Sequence, residues 1–212
     1  MNTPTHILIA FAVLARAIPA KQGTTSEDKT IEPQNKQERQ AAFNRNRIIF
    51  LGALLPDLSM FFFFLWAKFY VQADFQTTWR VLYWQEPWQT ISAASNSIPF
   101  MGALLTAGLL LKRKLLVVLA AAMLLHVGFD LPFHADDAHK HFWPITDFRF
   151  HSPLSYWDAS HHAGWVTTFE GLILIVGGAI LWRRFSNKFA KAISVFPAIL
   201  HIAATLAFVV FR

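Results

Sequence analysis

Six apolar stretches dominate the chain and limit what it can fold into. They run roughly from Thr5 to Ala20, Arg47 to Val71, Ser97 to Leu111, Leu115 to Phe133, Trp165 to Trp182 and Ala190 to Phe211. A membrane-spanning helix needs about 20 apolar residues, with 17 to 25 tolerated. By that rule the third stretch is short. None alternates apolar and polar residues with the period of two that a barrel strand requires. Leu, Ala, Ile, Val and Gly fill them, so they read as helices. Hydrophobic residues make up 54% of the chain and charged residues 15%, against about 25% charged in an average soluble domain. A soluble helical core would need a polar face on each helix, and these stretches offer little of one. The expected fold is all-α: a polytopic transmembrane helical bundle with about five to six spans.

The positions of the charges give the chain a direction. The formal net charge is +6, a balance that in a soluble protein would raise nucleic acid as a partner. Here Lys112-Arg113-Lys114 lie between the third and fourth stretches, and Arg183, Arg184, Lys188 and Lys191 between the fifth and sixth. The segment from Lys21 to Arg47 adds six basic residues against four acidic ones. Basic residues thus fall in alternate loops, the positive-inside pattern. The charge is topological, and no nucleic-acid partner is expected. Both ends of the chain are expected outside. Residues 1–212 read as a single membrane domain, with a flexible polar cytoplasmic insertion over 21–46, partly helical near Gln37 to Asn46, and a His/Asp-rich exterior loop over 134–164. Ile18-Pro19-Ala20 resembles a signal-peptidase site, but Met1 to His6 carries no Lys or Arg and Arg16 falls inside the run, so the first stretch reads as a span. Trp79, Tyr83, Trp84 and Trp88 mark the segment from Asp74 to Gln89 as a helix in the headgroup layer.

The absence of cysteine excludes a disulfide scaffold, a thiolate zinc site and a thiol nucleophile. Histidine and aspartate take their place. Seven of the nine histidines lie between His126 and His162, with five aspartates. His126, Asp130 and His134 are spaced i, i+4, i+8, which on a helix stacks three side chains on one face. Neutral imidazole and carboxylate are ligands for zinc, manganese or iron. Pro132 bends or ends the helix there, so His126 with Asp130 is the firmer pair. His139, His141, His151 and His161 read equally well as decoration of a wet loop. Ionisable groups at membrane depth are costly and usually line a polar cavity; Asp57, Glu170 and His6 join the pair on that ground. His162 and Glu170 are eight apart and share a face if their helix begins early. His201, alone in the sixth stretch, reads as a packing residue.

Thr5-His6, Leu55-Pro56-Asp57, His126-x-x-x-Asp130 and Trp143-Pro144 occur in an order that resembles bacterial inner-membrane metal-dependent hydrolases, some of whose relatives carry a cobalamin-biosynthesis label. The resemblance covers about residues 1 to 157. Phe150-x-Ser152-Pro153-x-Ser155-Tyr156-Trp157-Asp158 is similar to a narrower branch. The resemblance implies a helical membrane core in the bacterial inner membrane, with a phospholipase-like metal constellation carried by His6, Asp57, His126 and Asp130. Many members have histidine pairs before the third helix, where this chain has Ser95-Asn96-Ser97. One expected ligand is absent or is Asn96, with His134 or Asp137 able to compensate.

A metal held by His and Asp lowers the pKa of its bound water to about 7 and polarises a phosphoryl oxygen. Asp57, Glu170 or Asp137 is the expected proton carrier. The site is expected at the outer headgroup level, so a membrane lipid or lipid-linked phosphoester is the expected substrate and a divalent metal, zinc foremost, the expected cofactor. Ser152 and Ser155 lack the Gly-x-Ser-x-Gly elbow of a serine hydrolase. The rival reading is a non-catalytic transporter or metal-handling protein, in which the same groups form a cation path or an interhelical polar lock. Transport favours a repeated half-structure, and Pro56-Asp57 has no counterpart in the second half.

Overall fold

The computed structural model describes residues 1–17 and 31–210, with side chains over 1–17 and 36–206. The described residues form an all-α bundle. Its helices are α1 (Thr3–Leu14), α2 (Ile31–Leu65), α3 (Phe75–Arg80), α4 (Trp88–Ser95), α5 (Ile98–Leu110), α6 (Lys114–Asp130), α7 (Ala163–Arg184) and α8 (Lys188–Val210). Five segments are long and apolar enough to cross a membrane: Lys36–Val71, Trp88–Leu110, Lys114–Phe133, Ala163–Arg184 and Lys188–Leu206.

The helix α1 is the exception. Its 12 residues rise about 18 Å at about 1.5 Å each, well short of a hydrocarbon core of about 30 Å. A helix ending at that depth leaves carbonyls without partners. Neighbouring arginines supply them. Arg184 Nη1 donates to the Phe11 and Ala15 carbonyls at 3.0 and 3.1 Å, and Arg45 Nε donates to the Leu14 carbonyl at 2.9 Å. These contacts gather Arg16, Arg45 and Arg184 at one end of the bundle. Thr3, Asp57, Asp130 and Glu170 meet at the other.

Two sequence expectations change in extent. The polar segment 21–46 is helical from Ile31 onward, because its Gln, Lys, Glu and Ala residues are good helix formers and Gln40 bonds Asn44 one turn ahead at 2.8 Å. Residues 21–30 of that insertion lie outside the described residues. The aromatic segment 74–89 is a broken run, α3 followed by a single 3-10 turn at Leu82–Trp84. Phe63 of α2 pins it, with its ring centroid 5.5 Å from Trp79, 5.4 Å from Tyr83 and 5.3 Å from Trp88.

The pair that matters most for the site is α2 against α6. Gly52 makes this approach possible: a Cβ there would sit 2.7 Å from the Leu119 carbonyl oxygen and 2.8 Å from the Ala122 Cβ. Ile49, Ala53, Val118 and Ala122 close the contact below the polar groups. With Gly52 level with Leu119 to Ala122, Asp57 rises to the level of His126.

Candidate metal centre

Four elements each bring part of the site. α1 carries His6, α2 carries Asp57, α6 carries His126 and Asp130, and the loop after α6 carries His134, Asp137, His139 and His141. His6, His126, Asp130, His134 and His141 are all buried. The imidazoles of His6 and His126 stack, with centroids 3.8 Å apart and planes at 14°.

Asp130 is the hub. Its Oδ1 lies 2.9 Å from His6 Nε2 and 3.3 Å from His134 Nε2, and its Oδ2 lies 3.2 Å from His126 Nε2. The Met1 amino group donates to Oδ1 at 3.0 Å. Asp57 Oδ1 lies 3.5 Å from His126 Nε2, while its Oδ2 accepts from the Thr3 hydroxyl. By residue count the carboxylates of Asp57 and Asp130 sit about one turn apart. The His126 ring bridges that gap.

Hydrogen bonds at Nδ1 determine which nitrogen faces inward. His126 Nδ1 lies 2.6 Å from the Ala53 carbonyl, and His141 Nδ1 lies 3.2 Å from the Asn96 carbonyl. A carbonyl only accepts, so each Nδ1 carries the proton. His134 Nδ1 faces Asp137 Oδ2 at 3.0 Å, and His139 Nδ1 faces the Ser92 hydroxyl at 3.2 Å. In a neutral His126, Nε2 therefore holds a lone pair aimed at two carboxylates that also only accept. Such an arrangement needs a cation between the groups, either a proton on the ring or a metal ion. His6 Nε2, His126 Nε2 and both ring nitrogens of His134 are buried without a partner in hydrogen-bond geometry. His6 Nδ1 is likewise buried without a partner; of the three, His126 has its second nitrogen held by a protein oxygen, the arrangement of a metal-ligating histidine.

The donor set also fits in size. Tetrahedral zinc with bonds of about 2.0 to 2.1 Å separates neighbouring ligand atoms by roughly 3.4 Å. His6, His126 and Asp130 offer ligand atoms all within 4.8 Å of one another, and so do Asp130, His134 and His139. These are the two compact groups of this kind among the described residues.

The loop groups are electrostatically polarised. Burial works against a charged His134, but Asp130 and Asp137 outweigh it and raise its pKa to about 9. Burial, with His134 and His141 nearby, pushes His139 down to about 3 and keeps it neutral. Burial raises Asp137, yet His134 more than offsets this and holds it below the usual carboxylate range.

The structure also places the other residues singled out in the sequence. Glu170 is buried on α7. Both its oxygens are engaged by the start of α1, accepting from Asn2 N–H at 2.9 Å, Asn2 Nδ2 at 3.2 Å and the Thr5 hydroxyl at 2.6 Å. His162 is exposed at the N-cap of α7 and shares no contact with Glu170. Asp137 orients His134 and accepts from Trp157 Nε1 at 3.1 Å. The Asn96 side-chain amide donates to the Ser92 carbonyl at 3.0 Å, and the Asn96 backbone carbonyl accepts from His141 Nδ1. His139 and His141 belong to the cluster, whereas exposed His151 bonds Ala135 and His161 bonds Asp158. His201 bonds the Thr167 carbonyl at 3.0 Å, an interhelical packing role.

No family model, curated protein or solved structure matches the chain.

Proposed function

We propose that this protein is a metal-dependent hydrolase embedded in a bacterial inner membrane, acting on a lipid or lipid-linked phosphoester at the outer face. The observation that carries the reading is the convergence of His6 and His126 on Asp130, with their Nε2 atoms buried and outside hydrogen-bond geometry. His6, His126 and Asp130 would hold the ion, zinc foremost, with manganese or iron as alternatives. When bound, the ion supplies Lewis acidity toward a phosphoryl oxygen and a lowered pKa for water.

The protein's own groups do the rest. The Ala53 carbonyl fixes the His126 tautomer, and Glu170 anchors the first turn of α1 so that His6 faces Asp130. Asp57 is the partly exposed acid of the set, 15% against 4% for Asp130. On that ground it takes the role of proton acceptor beside the ion, steadied by Thr3. The exterior position of the site follows from the basic residues at the opposite end of the bundle.

The test is turnover in proteoliposomes of mixed phospholipids, reading release of water-soluble phosphate or headgroup. Turnover that chelation abolishes, that zinc restores and that Asp130→Asn lacks supports the proposal. Absence of chelator-sensitive turnover across phospholipid and polyprenyl-phosphate substrates would leave His126 and Asp130 as an interhelical polar lock.

A further inference from the structure

The hydrolase reading needs one ion, but the cluster contains more ligands than one ion can use. His6, His126, His134, His139 and Asp130 together exceed the four positions of tetrahedral zinc. They also fail to form one compact group. The ligand atoms of His6 and His126 close on Asp130, those of His134 and His139 close on the same carboxylate, and Asp130 is the one residue common to both sets.

His134 marks the second position. Its side chain is 7% exposed. Both its nitrogens approach carboxylates, Asp130 at 3.3 Å and Asp137 at 3.0 Å, and neither achieves hydrogen-bond geometry. Asp137 is itself held by Trp157 Nε1. Asp137 thus lies beside Nδ1 and Asp130 beside Nε2, with the imidazole between two carboxylates. His139 repeats the pattern with a hydroxyl. Ser92 faces its Nδ1 at 3.2 Å and is approached in turn by the Tyr83 hydroxyl at 3.4 Å. The His139 ring lies 5.1 Å from that of His134 and 5.7 Å from that of His141.

We propose that His134, His139 and Asp130 form a second metal position, and that Asp130 bridges it to the ion held by His6 and His126. The proposal deepens the hydrolase reading and rests on it. Oδ1 of Asp130 is the oxygen the two positions share, 2.9 Å from His6 Nε2 and 3.3 Å from His134 Nε2, while Oδ2 lies beside His126 alone of these histidines. A bridged pair favours phosphoesters as the substrate class, because two cations can stabilise the attacking and leaving oxygens of one displacement. Asp137 and Ser92 are positioning residues for the second ion.

The test uses the full chain in detergent, stripped with a chelator and titrated with Co²⁺ alone. Stoichiometry is read by elemental analysis and coupling between ions by electron paramagnetic resonance. The wild type should take up two ions per chain, and their signals should be coupled. His139→Ala should retain one ion and lose the coupling, with Ser92→Ala weakening the second ion about 10-fold or more. One ion per chain in the wild type, lost in His126→Ala, would overturn the second position while sparing the hydrolase reading. No ion at all would end both. Two ions that persist in a folded His139→Ala and His134→Ala would overturn the proposed ligands. If either variant fails to fold, the stoichiometry and coupling of the wild type still decide for or against the bridged pair.

Discussion

His6 of the short helix α1 and His126 of α6 stack ring on ring at 3.8 Å with both Nε2 atoms turned to Asp130. Two imidazolium rings would repel strongly at that separation in a low-dielectric interior. One shared cation resolves this, and the two histidines then act as a unit. His6→Ala and His126→Ala should each weaken Co²⁺ binding by at least about 100-fold, more than the loss of an outer-shell partner. The double variant should be no worse than either single, since residues sharing one ligand are not additive. Chelator competition measures all three, and additive losses would separate the two histidines into independent roles.

Glu170 should matter for stability and metal affinity together. Its carboxylate accepts three hydrogen bonds from Asn2 and Thr5. At about 0.6 kcal/mol for each interhelical bond in a membrane, Glu170→Ala should cost about 2 kcal/mol. Glu170→Gln, which keeps an acceptor, should cost less. Thermal unfolding in detergent gives the first number and Co²⁺ titration the second. A Glu170→Ala protein with unchanged metal affinity would show that α1 holds its register without this anchor.

Close packing of α2 on α6 sets the level of Asp57 against His126. Gly52→Ala places a methyl group against the Leu119 carbonyl, a backbone atom that cannot move aside cheaply. Overpacking of this kind costs about 1 to 3 kcal/mol. Gly128→Ala on α6 meets nothing within 4 Å and should be tolerated. Equal melting temperatures for the two variants would contradict the packing described for Gly52.

The absence of native cysteines allows topology to be tested with single introduced thiols. Ile145, 78% exposed in the loop after α6, should react with an impermeant maleimide in intact cells as Ile145→Cys. Lys112→Cys, at the basic end, should react only after permeabilisation. The reverse pattern would place the His/Asp cluster on the cytoplasmic side.

Side chains that share a helix were legible in the sequence, and those delivered by irregular backbone were not. His126 and Asp130 stand one turn apart on α6, so periodicity alone pairs them. His6 and Asp57 were found through ionisable groups at membrane depth together with motif order. His139 and His141 carry no such signal. They are positioned by the Ile98 N–H donating to the His141 carbonyl at 2.8 Å and by Ser92 against His139, contacts between residues far apart in the chain. Glu170 was legible as buried and unusual, but its partners Asn2 and Thr5 depend on how α1 docks. Of the helical stretch 31–46, the part from Gln37 to Asn46 was legible, and the start at Ile31 was not, because polarity masked good helix formers behind a loop-like composition.

The metal content of the detergent-purified wild-type protein beside His126→Ala, with folding of both checked by circular dichroism, tests the metal centre most directly. The wild type should hold a divalent ion tightly, and a folded His126→Ala should lose a substantial part of it. Equal metal content in the two proteins, or none in a wild type offered zinc, would contradict a metal centre built on His6, His126 and Asp130.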